Sequence, residues 1–233
     1  MSKTITLAVK GANEMNAYVA FPEGKGPFPA IMVFQEAFGV NHHMRDVTDR
    51  IANEGYIAIA PELFHRTAPA GFEGDYSNFA AIMPHFQALT TEGLDSDVRA
   101  VYDWLQTQDN VQKDKIGSIG FCLGGRVSFI ANSSVKLAAA VSFYGGGMHT
   151  LTDRVAKVSA PQLMFWGGKD QHIKAEDIQA VTDAFKNEQK DYINVVISYA
   201  DHAFFCDERP AYHPQAAKEA WGMTKEFFKN KLA

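Results

Sequence analysis

The feature that most constrains this chain is the stretch from Ile116 to Arg126, which reads Ile-Gly-Ser-Ile-Gly-Phe-Cys-Leu-Gly-Gly-Arg. An apolar run typical of a buried strand ends in the pentapeptide Gly120-Phe-Cys-Leu-Gly124, and a helical pattern follows at once. This is the G-x-nucleophile-x-G elbow, with cysteine in place of the usual serine. The glycines are needed because a side chain two residues either side of the nucleophile would collide with the adjacent strand or helix. Cys122 is therefore predicted to lie at a sharp strand-to-helix turn.

Composition and charge limit the functions open to the chain. Its 233 residues are 46% hydrophobic and 21% charged, which suits one α/β domain over 1–233. A formal net charge of −5 and the lack of a Lys/Arg run argue against nucleic acid as a partner. No apolar stretch approaches membrane-spanning length, so no membrane partner is expected, and the first residues lack the apolar core of a secretory signal. The two cysteines, Cys122 and Cys206, form no disulfide framework and favour a cytoplasmic location.

Strand-like runs alternate with helix-like segments along the chain. Two alternating segments at 3–9 and 15–21 predict an antiparallel opening hairpin. Further strands are predicted at 30–34, 56–60, 115–120, 138–144, 162–166 and 193–199, and helices at 42–53, 92–107, 122–132, 175–188 and 214–229. This order predicts an α/β fold whose sheet is mostly parallel and doubly wound. Ligands of such sheets bind at the carboxyl ends of the strands.

Residues 62–90 are the least regular part of the chain. Proline and glycine interrupt the pattern, and aromatic residues recur, including Phe64 and Tyr76. A long aromatic-bearing excursion in an α/β protein predicts a lid or a pocket wall. For any single aromatic residue, ordinary packing over the end of the sheet is the alternative.

A cysteine nucleophile needs a base, and the base needs an acceptor that orients it. Asp170 follows the predicted strand that ends at Trp166, and His202 follows the one that ends at Tyr199. The order Cys122, Asp170, His202 is the nucleophile, acid, histidine order of the α/β-hydrolase fold. Asp201 is the rival orienting group, but the chain neighbour of a histidine rarely reaches its far ring nitrogen. The elbow alone would also fit a buried structural cysteine beside a glycine turn.

The same edge of the sheet is expected to supply an oxyanion hole. The first donor would be the backbone N–H of Leu123, directly after the nucleophile. The strand at 30–34 leads into Gln35-Glu-Ala-Phe-Gly39, which makes the Ala37 N–H the second donor. Glu36 in this loop would repel a thiolate or accept the thiol proton, and would hold Cys122 neutral until substrate arrives. A solvated loop glutamate is the alternative.

Six segments together resemble the dienelactone hydrolases, also called carboxymethylenebutenolidases. They are Gln35-Glu-Ala-Phe-Gly39, Ala60-Pro-Glu-Leu-Phe64, Gly120-Phe-Cys-Leu-Gly-Gly125, Tyr144-Gly-Gly146, Trp166-Gly-Gly-Lys-Asp170 and Asp201-His-Ala-Phe-Phe205. The resemblance implies a single-domain α/β-hydrolase fold and hydrolysis of cyclic or activated esters without metal or organic cofactor. It also implies Cys122 as nucleophile, His202 as base and Asp170 as its orienter. Glu36 would bond the resting thiol and swing away on activation, while Leu123 and Ala37 supply the oxyanion donors.

The substrate pocket is expected to be lined by aromatic residues near these segments, namely Phe38, Phe64, Tyr76, Tyr144 and Phe204. The best-studied family members hold a substrate carboxylate with arginines, one of them four residues after the histidine. That position is Cys206 here, and the nearest arginine is Arg209. The sequence therefore leaves the natural lactone or ester open, with a neutral lactone, another activated ester or a thioester as candidates. It also leaves the oligomeric state open, a monomer being compatible with it.

The other histidines are expected to lie outside the site. His42 and His43 precede Asp46, but adjacent helical residues point apart, so a solvated helix start is predicted there rather than a metal site. Five more are predicted at the surface: His65, His85, His149, His172 and His213.

Two other functions compete with catalysis by Cys122. The first is an α/β-hydrolase-like ligand-binding module without activity, which would have no use for a strained elbow. The second is a redox protein in which Cys122 and Cys206 form a reversible disulfide.

Overall fold

The helices and strands follow the predicted order around one eight-stranded sheet. The structure, a computed structural model, describes residues 1–232. The strands are β1 (Ser2–Leu7), β2 (Met15–Ala20), β3 (Phe28–Phe34), β4 (Ile57–Pro61), β5 (Val111–Phe121), β6 (Ala139–Phe143), β7 (Gln162–Gly167) and β8 (Tyr192–Ile197). The helices are α1 (His42–Asn53), α2 (Phe79–Gln87), α3 (Thr91–Thr107), α4 (Leu123–Ser134), α5 (Ala175–Asn187) and α6 (Pro214–Leu232), with a 3₁₀ segment at Met148–Lys157.

The strand order in the sheet is β1-β2-β4-β3-β5-β6-β7-β8. β1 and β2 form the antiparallel hairpin, β2 pairs antiparallel with β4, and the pairs from β4 to β8 are parallel. The predicted mostly parallel sheet with an N-terminal antiparallel hairpin is thus confirmed. The parallel order brings the loops that follow β3, β5, β6, β7 and β8 to one edge of the sheet.

Helices cover both faces of the sheet, which explains the continuous apolar runs of its central strands. In β3, Ile31 and Val33 point to the face covered by α1 and α6, while Ala30, Met32 and Phe34 point to the face covered by α3. All five side chains are fully buried. Side chains two residues apart share one face of a strand, so both faces of a central strand must be apolar.

The first helix of the parallel part begins where the sequence predicts. Asn41 caps α1, its side-chain oxygen accepting a hydrogen bond from the Met44 backbone N–H at 3.2 Å. Asparagine at this position satisfies one of the amides that the first helical turn leaves unpaired.

Three features differ from the sequence-based expectation. Strand β5 begins at Val111, several residues before the predicted start at 115. The excursion at 62–90 contains helix α2, although Pro84 lies inside it, and Asn78 caps that helix through the Ala81 N–H. The 3₁₀ segment was not predicted. A proline inside a helix removes a backbone hydrogen bond and therefore argues against a helix here, yet burial of Ile82 in the core stabilises this short helix.

Two glycines show how tightly the turn after β5 is packed. A Cβ atom at Gly120 would lie 1.9 Å from the Gly124 carbonyl oxygen, and one at Gly124 would lie 2.0 Å from the Phe34 carbonyl oxygen. Both contacts are with backbone, which cannot move aside as a flexible side chain can. The elbow glycines are therefore required by steric exclusion.

Replacing Gly120 with alanine is expected to lower the free energy of unfolding by about 3 kcal/mol or more, because the new methyl group overlaps backbone atoms. Gly222→Ala is the matched control. A Cβ at Gly222 meets nothing within 4 Å in helix α6, so that variant should gain roughly 0.5–1 kcal/mol. Urea unfolding of both variants measures the difference. A Gly120→Ala protein as stable as the wild type would contradict the packing argument.

Candidate active site

Cys122 alone makes the turn between β5 and α4. Its backbone has φ +55° and ψ −114°, a conformation that residues other than glycine rarely adopt. The turn is fixed by two backbone hydrogen bonds, from the Cys122 N–H to the Phe143 oxygen and from the Gly125 N–H to the Cys122 oxygen, both 3.0 Å. The thiol is thus held at the carboxyl edge of the sheet. Strain of about 1–3 kcal/mol at such a residue must be offset by the surrounding packing.

Asp170 and His202 lie beside each other at the same edge, in the loops that follow β7 and β8. The Asp170 Oδ2 and the His202 Nδ1 are 2.7 Å apart. Oδ1 of Asp170 accepts hydrogen bonds from the backbone N–H groups of His172 at 2.7 Å and Ile173 at 3.2 Å. Because Nδ1 of the ring is committed to the carboxylate, Nε2 is left free to face a reacting group.

The two loops are joined by backbone contacts that permit this pairing. Lys169 N–H donates to the Ala200 oxygen at 2.9 Å, and Gly168 N–H donates to the Ile197 oxygen at 2.8 Å. A Cβ at Gly168 would come within 2.5 Å of the Ser198 Cα. Glycine is needed here because the loops approach more closely than a side chain permits. The Oδ1 atom of Asp201 accepts a hydrogen bond from the backbone N–H of His202, and this carboxylate makes no hydrogen bond to the His202 ring.

The pairing changes the protonation of both groups. Burial favours the neutral Asp170 carboxyl, but hydrogen bonds from His202 and from two backbone amides outweigh this and lower its pKa. Burial likewise opposes charge on His202, but hydrogen bonds to Asp170 and Cys122 raise the pKa of the imidazole to about 10. The arrangement therefore stabilises an imidazolium beside the sulfur of Cys122.

Two backbone N–H groups are available near the thiol. Leu123 is the first residue of α4, so its N–H has no acceptor within the helix. Ala37 lies in the loop after β3, and no acceptor for its N–H is found within residues 1–232. The close contact of Gly124 with the backbone of Phe34 and Gln35 places the start of α4 against the start of this loop. Both residues are buried, and a buried N–H without a partner is costly unless a ligand oxygen accepts it.

Glu36 is buried in the same loop, and two groups approach its carboxylate. The Tyr144 hydroxyl donates to Oε1 at 3.3 Å, and Nη1 of Arg209 lies 3.7 Å from Oε2. Within residues 1–232 no hydrogen bond joins Glu36 to the Cys122 thiol, so the expected bond to the resting thiol is absent from this conformation. Tyr144 and Arg209 approach different oxygens of the carboxylate, and within residues 1–232 Oε2 has no hydrogen-bond partner.

The predicted pocket residues divide into three groups. Phe38 and Tyr76 pack together at 4.6 Å between ring centres, and the guanidinium of Arg209 lies over both rings at 5.2 and 5.8 Å. Tyr144 lies 5.0 Å from the His202 ring and 5.3 Å from that of Phe204. Phe64 has different aromatic neighbours, Phe72 and His85, and packs inside the 62–90 excursion.

Comparisons with known proteins identify the family of the chain. Residues 15–232 match the model of the Dienelactone hydrolase family. The chain belongs to this family. It is therefore a member of a family of hydrolases, and the sheet described above is that of the α/β-hydrolase fold.

Relatives of the dienelactone hydrolase family match almost the whole chain. A Synechocystis protein named "Putative carboxymethylenebutenolidase" is 35% identical over 244 residues, covering 99% of this chain and 98% of the relative. A protein of the same name from Escherichia coli is 35% identical over 230 residues, covering 93% and 83%. The crystal structure titled "Putative Dienelactone Hydrolase" from Klebsiella pneumoniae superposes with a TM-score of 0.86 at 29% identity, covering 98% of this chain and 99% of that one.

Two sequence-based expectations about histidines in this chain are wrong. His43 is buried rather than solvated, with Nδ1 3.2 Å from Asp207 and its ring near Phe121 and Phe205. His65 is also buried rather than at the surface, with Nε2 3.1 Å from the buried Asp97. In both cases a carboxylate brought in from a distant part of the chain makes burial of the ring possible.

Two arginines near the site, Arg126 and Arg209, have no role in the sequence-based prediction. Arg209 was noted only as the arginine nearest to Cys206, yet it pairs with Glu36 because the loop after β8 turns back over Phe38. Arg126, four residues after Cys122, was not considered. Glu36 and Arg209 are so far apart in the sequence that no helical or strand periodicity could predict their contact. The position of Arg126 could have been found, because the helix predicted directly after the elbow places this residue in its first turn, next to Cys122.

The Asp170–His202 pair predicts a pH dependence of stability. The pKa of His202 is raised above its unfolded value near 6.5, so pairing stabilises the fold fully below about pH 6.5. That contribution is lost as the pH rises through about 10. Asp170→Asn should lower the pKa of the imidazole and reduce this alkaline loss, because the amide carries no charge.

Proton NMR titration of the His202 ring measures the change in pKa, and urea unfolding at neutral and alkaline pH measures the change in stability. Asp201→Asn is the matched control, because Asp201 contacts the His202 backbone only. An equal pKa for the ring in Asp170→Asn and in the wild type would contradict the role given to Asp170.

Proposed function

We propose that the chain is a cysteine-dependent hydrolase that opens lactones and other activated esters through an acyl-cysteine intermediate. The observation that carries the proposal is the convergence of three groups at one edge of the sheet. The strained Cys122, the Asp170–His202 pair and the unpaired Leu123 and Ala37 amides all lie there. A nucleophile, an oriented base and two donors are the parts that acyl transfer requires.

In the first step the Cys122 sulfur attacks the carbonyl carbon of the ester, and Nε2 of His202 holds the proton taken from the thiol. The raised pKa of the imidazole favours this transfer. The carbonyl oxygen becomes an oxyanion, and the Leu123 and Ala37 N–H groups donate to it. When the tetrahedral intermediate collapses, the C–O bond breaks and the imidazolium gives its proton to the departing alkoxide. In a lactone that alkoxide stays attached to the acyl group.

In the second step water hydrolyses the acyl-cysteine. His202 Nε2 takes a proton from the water, the water oxygen attacks the thioester carbonyl, and the same two amides bind the second oxyanion. The proton then returns to the sulfur as the acid leaves. Asp170 keeps the ring in one tautomer throughout, because its Oδ2 holds Nδ1–H. The substrates are expected to be small molecules, either lactones or neutral esters and thioesters.

The central prediction concerns the two cysteines. Cys122→Ala should abolish hydrolysis of p-nitrophenyl acetate and of a dienelactone alike, because the variant lacks the sulfur that attacks the carbonyl carbon. Cys206→Ala is the matched control: Cys206 is buried against the Tyr76 hydroxyl at 3.5 Å and should leave most of the activity. Release of p-nitrophenolate measures both variants. Undiminished hydrolysis by Cys122→Ala would refute the proposal, whereas a wild-type protein that hydrolyses no activated ester would favour the ligand-binding alternative.

Glu36 is proposed to restrain the resting thiol. A carboxylate beside a cysteine disfavours the thiolate that reacts with alkylating agents. Glu36→Ala should therefore alkylate faster with iodoacetamide at Cys122, by roughly 3-fold or more. Glu226→Ala, on the exposed face of α6, is the control for loss of one negative charge. Mass spectrometry of the alkylated peptide gives the rate, and an unchanged or slower rate in Glu36→Ala would contradict this restraint.

A further inference from the structure

Arg126 is a cation near the site that the mechanism above does not use. It lies in the first turn of α4, four residues after Cys122, and its backbone N–H reaches the Cys122 oxygen at 3.4 Å. Long side chains on a helix lean towards its N-terminus. The side chain of Arg126 is therefore expected to lean towards the end of α4 at which Cys122 lies.

The surroundings of the guanidinium hold it at the edge of the active site. It lies over the Phe86 ring of α2, 5.8 Å from the ring centre. On another side the guanidinium packs against Gly147 in the loop after β6. A Cβ atom built on Gly147 would lie 3.1 Å from Nη1 of Arg126. Burial lowers the pKa of Arg126, while the nearby Cys122 acts to raise it. The group is partly dehydrated and close to the nucleophile.

Within residues 1–232, Arg126 is the one partly buried arginine that has no anionic partner. Five of the other six pair with a carboxylate: Arg45, Arg50, Arg66, Arg154 and Arg209. The sixth, Arg99, is exposed on α3, where water solvates its charge. Nε of Arg126 is buried without a hydrogen-bond partner, and no carboxylate within residues 1–232 pairs with this guanidinium. A half-buried charge of this kind is unfavourable unless a ligand supplies the missing anion.

The two arginines of the site lie on different sides of the thiol. Arg209 contacts Glu36, which follows β3, and Arg126 contacts Gly147, which follows β6. Strand β5, which leads to Cys122, lies between β3 and β6 in the sheet. Because Arg209 is paired with Glu36, the unpaired charge of the site is on the β6 side.

We propose that Arg126 is a specificity-determining residue that binds an anionic group, such as a carboxylate, carried by the substrate. The inference rests on the proposed function, since it places this anion on the ester or lactone that Cys122 attacks. A guanidinium binds a carboxylate through two parallel hydrogen bonds, which fixes the orientation of the bound group. The bound anion would accept from Nε and satisfy the donor that the protein leaves unpaired.

The experiment compares matched neutral and anionic substrates. The p-nitrophenyl hemiesters of succinate and glutarate differ from the butyrate and pentanoate esters by a carboxylate in place of the terminal methyl group. In Arg126→Met the ratio of kcat/KM for each hemiester to that for its neutral partner should fall about 10- to 100-fold, as expected when a hydrogen bond to a charged group is lost. Arg126→Lys should give a ratio between those of Arg126→Met and the wild type, because lysine keeps the positive charge but cannot form the two parallel hydrogen bonds of a guanidinium. Arg99→Met controls for net charge and should leave the ratio unchanged.

A measurement without catalysis separates this inference from the proposed function. Calorimetric titration with glutarate should show binding that weakens about 10-fold or more in Arg126→Met and not in Arg99→Met. Hydrolysis with the same substrate ratio in Arg126→Met and wild type would overturn the role of Arg126 alone. Glutarate binding that depends on Arg126, in a protein that hydrolyses no ester, would overturn the hydrolase proposal alone. Equal loss of the ratio in Arg126→Met and Arg99→Met would also overturn the inference.

Discussion

The positive-φ turn at Cys122 is the constraint on which the site depends. The turn is possible only because Gly120 and Gly124 allow β5, α4 and the end of β3 to approach closer than any Cβ permits. The same approach that fixes the sulfur also brings the Leu123 amide next to the Glu36–Ala37 loop. One steric requirement therefore positions both the candidate nucleophile and the candidate oxyanion donors, so a change at either glycine should disturb them together.

Electrostatics organises the remainder of the site. The negative charge of Asp170 is balanced by His202, and that of Glu36 is approached by Arg209, so two of the buried charges have partners within the chain. Arg126 has none within residues 1–232. Such an imbalance is unusual in a folded interior, and it is the basis for the proposal that a charged substrate group binds there.

Much of the fold and the chemistry could be predicted from sequence because both are encoded locally. The central strands are predicted by their apolar runs, Cys122 directly follows β5, and Asp170 and His202 lie in the loops after β7 and β8. Helix α2 was missed because Pro84 is a local signal, whereas burial of Ile82 is a tertiary effect. The pairing of Glu36 with Arg209 was missed for the same reason. Contacts between residues this far apart in the sequence depend on the path of the loops over the sheet. The spacing of residues along the chain does not predict that path.

Peptide mapping of the acylated protein tests the central claim most directly. After rapid acid quenching of a reaction with p-nitrophenyl acetate, the acetyl group should be found on the peptide that contains Cys122. Prior alkylation of that cysteine should prevent both the adduct and turnover. An acetyl group on a different residue, or full turnover after Cys122 has been quantitatively alkylated, would contradict the account.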